Sequence, residues 1–328
     1  MSSPHILPYR NPKGRTMIRS RTRGSLRLGD IAFSRLTLIG SLIVIAILVN
    51  ILVILFIQAW PSIQQFGVSF FGSAAWDPVK EQFGALPAIF GTLLSSLLAL
   101  LLAVPISIGA AIFLTEVAPV WLRNVASFVI EMLAAIPSII VGLWGLFVLV
   151  PFVRSPIEKW LGTAFGALPF FQGNQLGFGF LAAGIILALM IIPIITAMSR
   201  DVLRAVPQAQ REAMLALGAT RWETIRKAVL PYGRSGLVGA VILGLGRALG
   251  ETMAVAMVIG NAYRITPSLF STGSTVASKM ANEFGESSGL QLSSLIELAL
   301  ILFLITLLIN VIARLLVWRM AAVKVVRD

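Results

Sequence analysis

The sequence predicts an all-helical, polytopic membrane protein with six spanning helices, and three observations carry that prediction. Hydrophobic residues make up 57% of the 328 and charged residues only 12%, about half the charged share usual in globular domains, and the mean hydropathy is +0.91. Six stretches reach the roughly 20 apolar residues that a helix needs to cross a bilayer: 36–59, 86–114, 125–152, 178–198, 235–262 and 293–317. The basic residues between those stretches are distributed unevenly.

Taken in order, residues 1–30 are rich in Arg, Ser, Pro and Gly without an apolar period, which predicts a disordered basic tail. No small-residue cleavage site precedes a short apolar core, so this tail, counted as 1–35, is expected to stay on the mature chain. The membrane domain is then 36–318, with a short end at 319–328. Of the 26 Lys and Arg, nineteen fall in the tail, in the loops 115–124 and 199–234, and after 317; five fall in the other three loops. The positive-inside rule places both termini and the 199–234 loop in the cytoplasm. The net charge of +12 then reads as a topological signal facing anionic lipid rather than nucleic acid. With no cysteine and a single histidine, His5, in the tail, the membrane domain has no thiol nucleophile, Cys/His metal site or Ser-His-Asp triad.

Proline interrupts the spans at Pro105, Pro137 and Pro193, and glycine recurs at Gly239, Gly244, Gly246 and Gly250. Such breaks survive in a bilayer only where neighbouring helices or a cavity satisfy the freed backbone groups. Gly246 and Gly250 at GxxxG spacing fit close helix packing, which is compatible with a pathway beside it.

The 199–234 loop carries the most specific stretch, EAMLALGATRWETIRKAVLP from Glu212 to Pro231. Local rules predict two short helices at an angle. Pro207 suits a first helical turn, Gly218 a stop, Thr220 with Glu223 a capping box, and Pro231 an end to the second helix. An apolar-faced elbow projecting from a membrane domain needs a partner to cover it; an amphipathic helix lying on the membrane surface is the plainer alternative.

This stretch resembles the signature loop of the membrane subunits of bacterial ABC importers: EAA, three residues, G, nine residues, I, one residue, LP. Glu212, Ala213, Gly218, Leu230 and Pro231 fall at matching positions, with Met214 and Ala228 as apolar departures. The resemblance implies the six-helix type I permease fold, and an elbow that docks on a cytoplasmic ATPase and transmits its closure. The chain has no G-x-x-x-x-G-K-[ST], so ATP hydrolysis is expected on a separate subunit and not here.

Within the fifth span, GLGRALGETMAV (244–255) places Arg247 near the bilayer centre and Glu251 one turn further out. A charge at that depth costs at least ~2.5 kcal/mol. At i and i+4 the two can pair on one helix face, either as a packing device or as part of a transport path. Arg247 offers a planar fork suited to an oxyanion. Glu251 can hold that fork or accept a proton-bearing anion's hydrogen bond.

RALGETMAV (247–255), WDPVKEQFGALPAIFGTLLSS (76–96) and PISIGAAIFLTE (105–116) together resemble the phosphate-specific permeases of the Pst importer, nearer the PstC-type subunit than the PstA-type. The resemblance implies a phosphate pathway through Arg247 and Glu251. It also implies a PstA-like second permease, two PstB-like ATPase subunits, a PstS-like phosphate-binding protein outside, and no cofactor in the pathway. Rival readings are the same machine for molybdate, sulfate or phosphonate, and a passive anion channel, against which the elbow argues.

Weaker signals remain. Glu131, in the third span near its cytoplasmic edge, reaches either the interface or the pathway. Glu297, opening the sixth span, is expected to be solvated. Glu283 and Glu286 form a solvated acidic loop or meet a binding protein. Trp60, Trp76, Trp144 and Trp318 read as interface anchors.

Overall fold

The computed structural model describes residues 23–325; residues 1–22, including His5, and 326–328 lie outside the described residues. The chain divides into two units, the first ending at Ile54 and the second starting at Leu55. Helix α1 (Arg23–Phe66) supplies every described residue of the first. Residues 23–30, which composition places in a disordered tail, thus begin a helix. The long apolar run behind them removes the nucleation cost, and leucine and arginine then extend a helix readily.

The second unit is built on further helices: α2 (Leu86–Val117), α3 (Val120–Ala134), α4 (Ser138–Phe165), α5 (Phe180–Arg204), α6 (Gln208–Ala216), α7 (Arg221–Gly250), α8 (Met253–Val258), α9 (Val276–Glu283) and α10 (Gly289–Val325). A small antiparallel hairpin, β1 (Trp76–Asp77) with β2 (Gln82–Phe83), precedes α2 and pairs Trp76 with Phe83. Among the described residues six helices, α1, α2, α4, α5, α7 and α10, are long and apolar enough to cross a membrane.

Two spans differ from the hydropathy pattern. The run 125–152 is not one helix: α3 stops at Ala134, and α4 starts after Pro137. Proline disfavours helical backbone at the residue before it, so the chain turns and restarts, and the spanning helix is 138–165. The fifth run, 235–262, also breaks, after Gly250.

Helix α5 is the centre of the bundle, with 67% of its apolar window buried. Phe180, Ile186, Leu187, Ile191 and Ile195 pack with Ala99 and Ala103 of α2, Leu149 and Val153 of α4, Ala240 and Ala248 of α7, and Val255 and Val258 of the α8 segment. A second cluster joins Phe70, Phe83, Ala85 and Ala88 to Val276, Leu295 and Leu298. Gly91 is required where α2 meets the chain before α9, since a Cβ there would stand 2.1 Å from the Ser274 carbonyl oxygen. Gly244 likewise admits the Ile195 side chain, whereas Gly246 and Gly250 have no atom within 4 Å of such a Cβ. Within this chain the close packing of α7 therefore runs through Gly236, against Val202, and Gly244, and not through the GxxxG pair.

Candidate functional site

Arg247 stands in the last turn of α7, and Glu251 follows the helix with extended backbone, φ −71° and ψ 127°. The shared i, i+4 face therefore does not form, and among the described residues no ion pair joins the two. Glycines 246 and 250, each about 1 kcal/mol less favourable than alanine in a helix, weaken the segment where it breaks. Arg247 is exposed, while Glu251 is buried. Without a carboxylate partner, Arg247 still has an electrostatic complement, because the partial negative charge of a helix C-terminus favours a cation in the last turn.

A cavity of about 460 Å³ opens beside this arginine, walled by Ala134, Ile136, Ile140, Trp144 and Pro193 among others, with Arg247 its only charged lining residue. Two backbone interruptions meet there, the break between α3 and α4 and the proline inside α5. Irregular backbone at membrane depth is tolerated where it lines a cavity, and discontinuous helices recur at transporter substrate sites. A guanidinium facing apolar walls presents planar N–H donors to an oxyanion with little dielectric screening. Trp144, read from sequence as an interface anchor, belongs to this wall.

Glu131 does not join it. On α3 its Oε1 accepts from Arg200 at 3.1 Å, and Arg200 Nε also donates to Asp201 at 3.1 Å, so Glu131 ties α3 to the C-terminal end of α5.

The elbow largely follows its local signals. Helix α6 starts after Pro207, which caps it rather than occupying its first turn. Gly218 takes φ +82°, the left-handed conformation that glycine tolerates best, and Ala219 N–H closes the turn on the Met214 carbonyl at 3.1 Å. Thr220 accepts from the Glu223 N–H, and Glu223 accepts in turn from the Thr220 N–H, completing the capping box. Pro231 does not end the second helix. A wider π-helical turn at Ile225–Val229 precedes it, with Leu230 N–H bonded to the Ile225 carbonyl, and that extra residue relaxes the clash a proline ring makes with the preceding turn. Helix α7 thus runs unbroken from the elbow to Arg247, about 39 Å at the helical rise.

Glu212 and Ala213 are exposed on α6, and the elbow tip presents Leu215, Leu217 and Trp222 to the surroundings, Leu217 at 84% exposure. Leu230 packs inward instead, against a cluster of Ala111, Leu203, Val206 and Val229 that ties the elbow's second arm to α2 and α5.

Several charged residues take places that sequence reading missed. Glu297, expected to be solvated, is 4% exposed; it lies on α10 a turn from Ser294, whose hydroxyl meets that of Ser62 at 3.0 Å. Glu283 is not a free solvated acid: it pairs with Lys279 and accepts from Trp76 Nε1 at 2.8 Å. Trp76 is thereby part of a packed cluster rather than an interface anchor. Glu158 is fully buried in α4 and accepts the Gly177 N–H at 2.9 Å. Arg211, counted only as a loop cation, holds Glu116 at 2.9 Å. Lys279 and Glu283 stand at i, i+4 on α9, a spacing that sequence can offer, but the other partners lie far apart in the chain and no spacing rule brings them together.

A model of the family described as binding-protein-dependent transport system inner membrane component matches residues 103–322, from α2 into α10 and across the whole elbow. The chain belongs to this family. As an inner-membrane component of a bacterial ABC importer it is a multi-pass protein with the all-helical, six-span type I permease fold. Its curated relatives include the phosphate transport system permease protein PstC of Haemophilus influenzae, 50% identical over 296 residues that cover 89% of this chain and 94% of that protein. The PstC protein of Mesorhizobium japonicum is 45% identical over 309 residues, 93% of this chain and 94% of that one. Among solved structures, an inward-facing MetNI methionine ABC transporter chain matches at a TM-score of 0.51 and 19% identity over 72% of this chain and 94% of that chain, a likeness of fold alone.

Proposed function

We propose that this chain is the PstC-like permease subunit of an ATP-driven importer of inorganic phosphate. Its partners in this reading are a PstA-like permease, two PstB-like ATPase subunits and a PstS-like binding protein outside the membrane. Near-full-length similarity to phosphate permeases supports the substrate. The observation that carries the mechanism is the continuous helix from the elbow to Arg247, which links an apolar docking tip to the one charged residue on a membrane cavity. Both termini and the elbow face the cytoplasm. ATP closes the ATPase dimer, the elbow moves with it, and α7 shifts Arg247 relative to the broken α3–α4 wall. The bundle then opens outward to receive phosphate, and hydrolysis with product release resets it. Arg247 handles the anion, Glu251 shapes the field behind it, Glu212, Ala213 and Gly218 form the docking arm, and no cofactor takes part.

The test is ATP-dependent uptake of labelled phosphate by the assembled complex in vesicles, wild type against Arg247→Gln at matched ATPase-subunit retention. Uptake is expected to fall at least tenfold, the scale of losing one charge-assisted contact, with hydrolysis retained. Uptake inhibited by sulfate and not by phosphate would overturn the substrate; uptake persisting without ATP would favour a channel.

A further inference from the structure

Helix α6 is the arm of the elbow that bears Glu212 and Ala213, yet it has no buried residue. Apolar packing therefore does not fix it to the membrane domain. Among the described residues, Arg211 supplies polar contacts that tie α6 to the helix ends beside it. Arg211 Nη2 donates to Glu116 Oε1 at 2.9 Å and to the Leu203 carbonyl at 2.8 Å, Nε donates to Glu116 Oε2 at 3.3 Å, and Nη1 donates to the Val206 carbonyl at 2.5 Å. Both members of the pair are largely shielded, with side-chain exposures of 14% and 12%. Glu116 lies in the π-helical turn Phe113–Val117 that ends α2, and Leu203 is in the last turn of α5. A single guanidinium thus grips the docking arm, the end of α2 and the end of α5.

We infer that the Arg211–Glu116 pair is the pin through which the docking arm moves α2. The elbow then has two arms with different linkages. The second arm is covalently continuous with α7 and carries motion to Arg247. The first arm meets α2 through this planar, bidentate contact, whose fixed geometry resists rotation in a way that a lysine's single ammonium cannot. A cavity of about 350 Å³ adjoins the pair, lined also by Thr115, Arg123, Arg204 and Gln208, so the side chains around the pin have room to rearrange while it stays closed. Arg211 and Glu116 are in this sense positioning residues, acting on the pathway through α2 and not by touching the anion. The inference rests on the elbow being the ATPase docking site.

The experiment uses the assembled complex with two readouts. In the first, phosphate moved per ATP hydrolysed is compared for wild type, Arg211→Gln, Arg211→Lys, Glu116→Gln and the Arg211→Gln/Glu116→Gln double variant, with ATPase-subunit retention measured in each. The singles are expected to keep hydrolysing ATP while transport per ATP drops about tenfold, within the range of coupling between sites. The double is expected to fall no further than the lower single, and Arg211→Lys is expected to behave like Arg211→Gln. Transport and hydrolysis falling together with the amount of assembled complex would overturn the inference, as would a double variant whose losses multiply. The second readout needs no phosphate. The chain has no cysteine, so spin labels on Ala209→Cys and Val117→Cys, both exposed, report the distance from docking arm to α2. That distance should stay fixed between nucleotide-free and ATP-bound complexes in wild type, and change or broaden in Glu116→Gln. A wild-type distance that changes with nucleotide would sink the pin, whereas a wild-type complex that fails to move phosphate while keeping the distance fixed would count against the substrate alone.

Discussion

Lys279 occupies a place where a loop cation ordinarily would not. Its ammonium lies 4.7 Å from the ring centroids of both Trp76 and Tyr263 and pairs with Glu283, while the Tyr263 hydroxyl donates to the Gly84 carbonyl. Cation–π contact and an ion pair together hold the hairpin, the end of β2 and α9 in one knot. Burial pushes the lysine below its usual pKa, and the Glu283 carboxylate opposes that shift. Lys279→Met leaves Glu283 without its partner and should lower the thermal midpoint of the purified subunit, at a cost on the order of 3 kcal/mol. Adding Glu283→Gln should recover part of the loss. Tyr263 moves the other way: burial first, and the Glu283 charge second, raise its pKa above the ordinary 10.0. The folded chain keeps that proton where the unfolded chain has released it, so stability is lost as pH climbs above the ordinary value. Midpoints measured from pH 9 to 11.5 should fall less steeply for Tyr263→Phe than for wild type. None of this cluster is visible in composition, because Trp76, Tyr263 and Lys279 become neighbours only through tertiary packing.

At the scale of elements, the elbow was legible and the spans were legible only in part. Gly218, Thr220 and Glu223 act on backbone within four residues of themselves, so their pattern survives translation into structure. The third and fifth spans depend on where a helix stops inside an apolar run, which hydropathy does not register. Pro137 breaks its run and Pro231 does not, since a π-helical turn ahead of Pro231 gives its ring space. Glycine spacing misled for a related reason: whether a glycine is a contact depends on what lies opposite. Gly91→Ala, with backbone 2.1 Å from the new Cβ, should disrupt the seat of α2 and reduce the yield of folded subunit. Gly246→Ala meets open space and should raise helix stability by about 1 kcal/mol. Thermal midpoints of the two variants in detergent would separate contact from coincidence, and equal behaviour would contradict this packing.

For the whole molecule, the proposed contact with an ATPase subunit is tested at the exposed tip of the elbow. Leu217 and Trp222 present apolar side chains, Trp222 at 62% exposure, and neither contributes to the clusters that hold the bundle together. Leu217→Asp with Trp222→Asp should therefore abolish co-purification of the ATPase subunit while leaving the thermal midpoint of the isolated permease within about 0.5 kcal/mol of wild type, the usual range for surface changes. Loss of both together would assign the tip to the fold instead.

By itself the sequence determined the class of the protein, the number of its spans and the helical turns of the elbow, because hydropathy and capping act through composition or through neighbours a few residues apart. Tertiary structure alone decided that Arg247 lines an apolar cavity where the α3–α4 break meets the proline of α5, while Glu251 is buried beyond the end of α7. It alone bound Arg211 to Glu116, Arg200 to Glu131 and Lys279 to its aromatic rings. Those outcomes depend on which helix ends come within a few ångströms of one another, and in a bundle whose helices are almost all apolar, shape and a few buried polar contacts choose the neighbours.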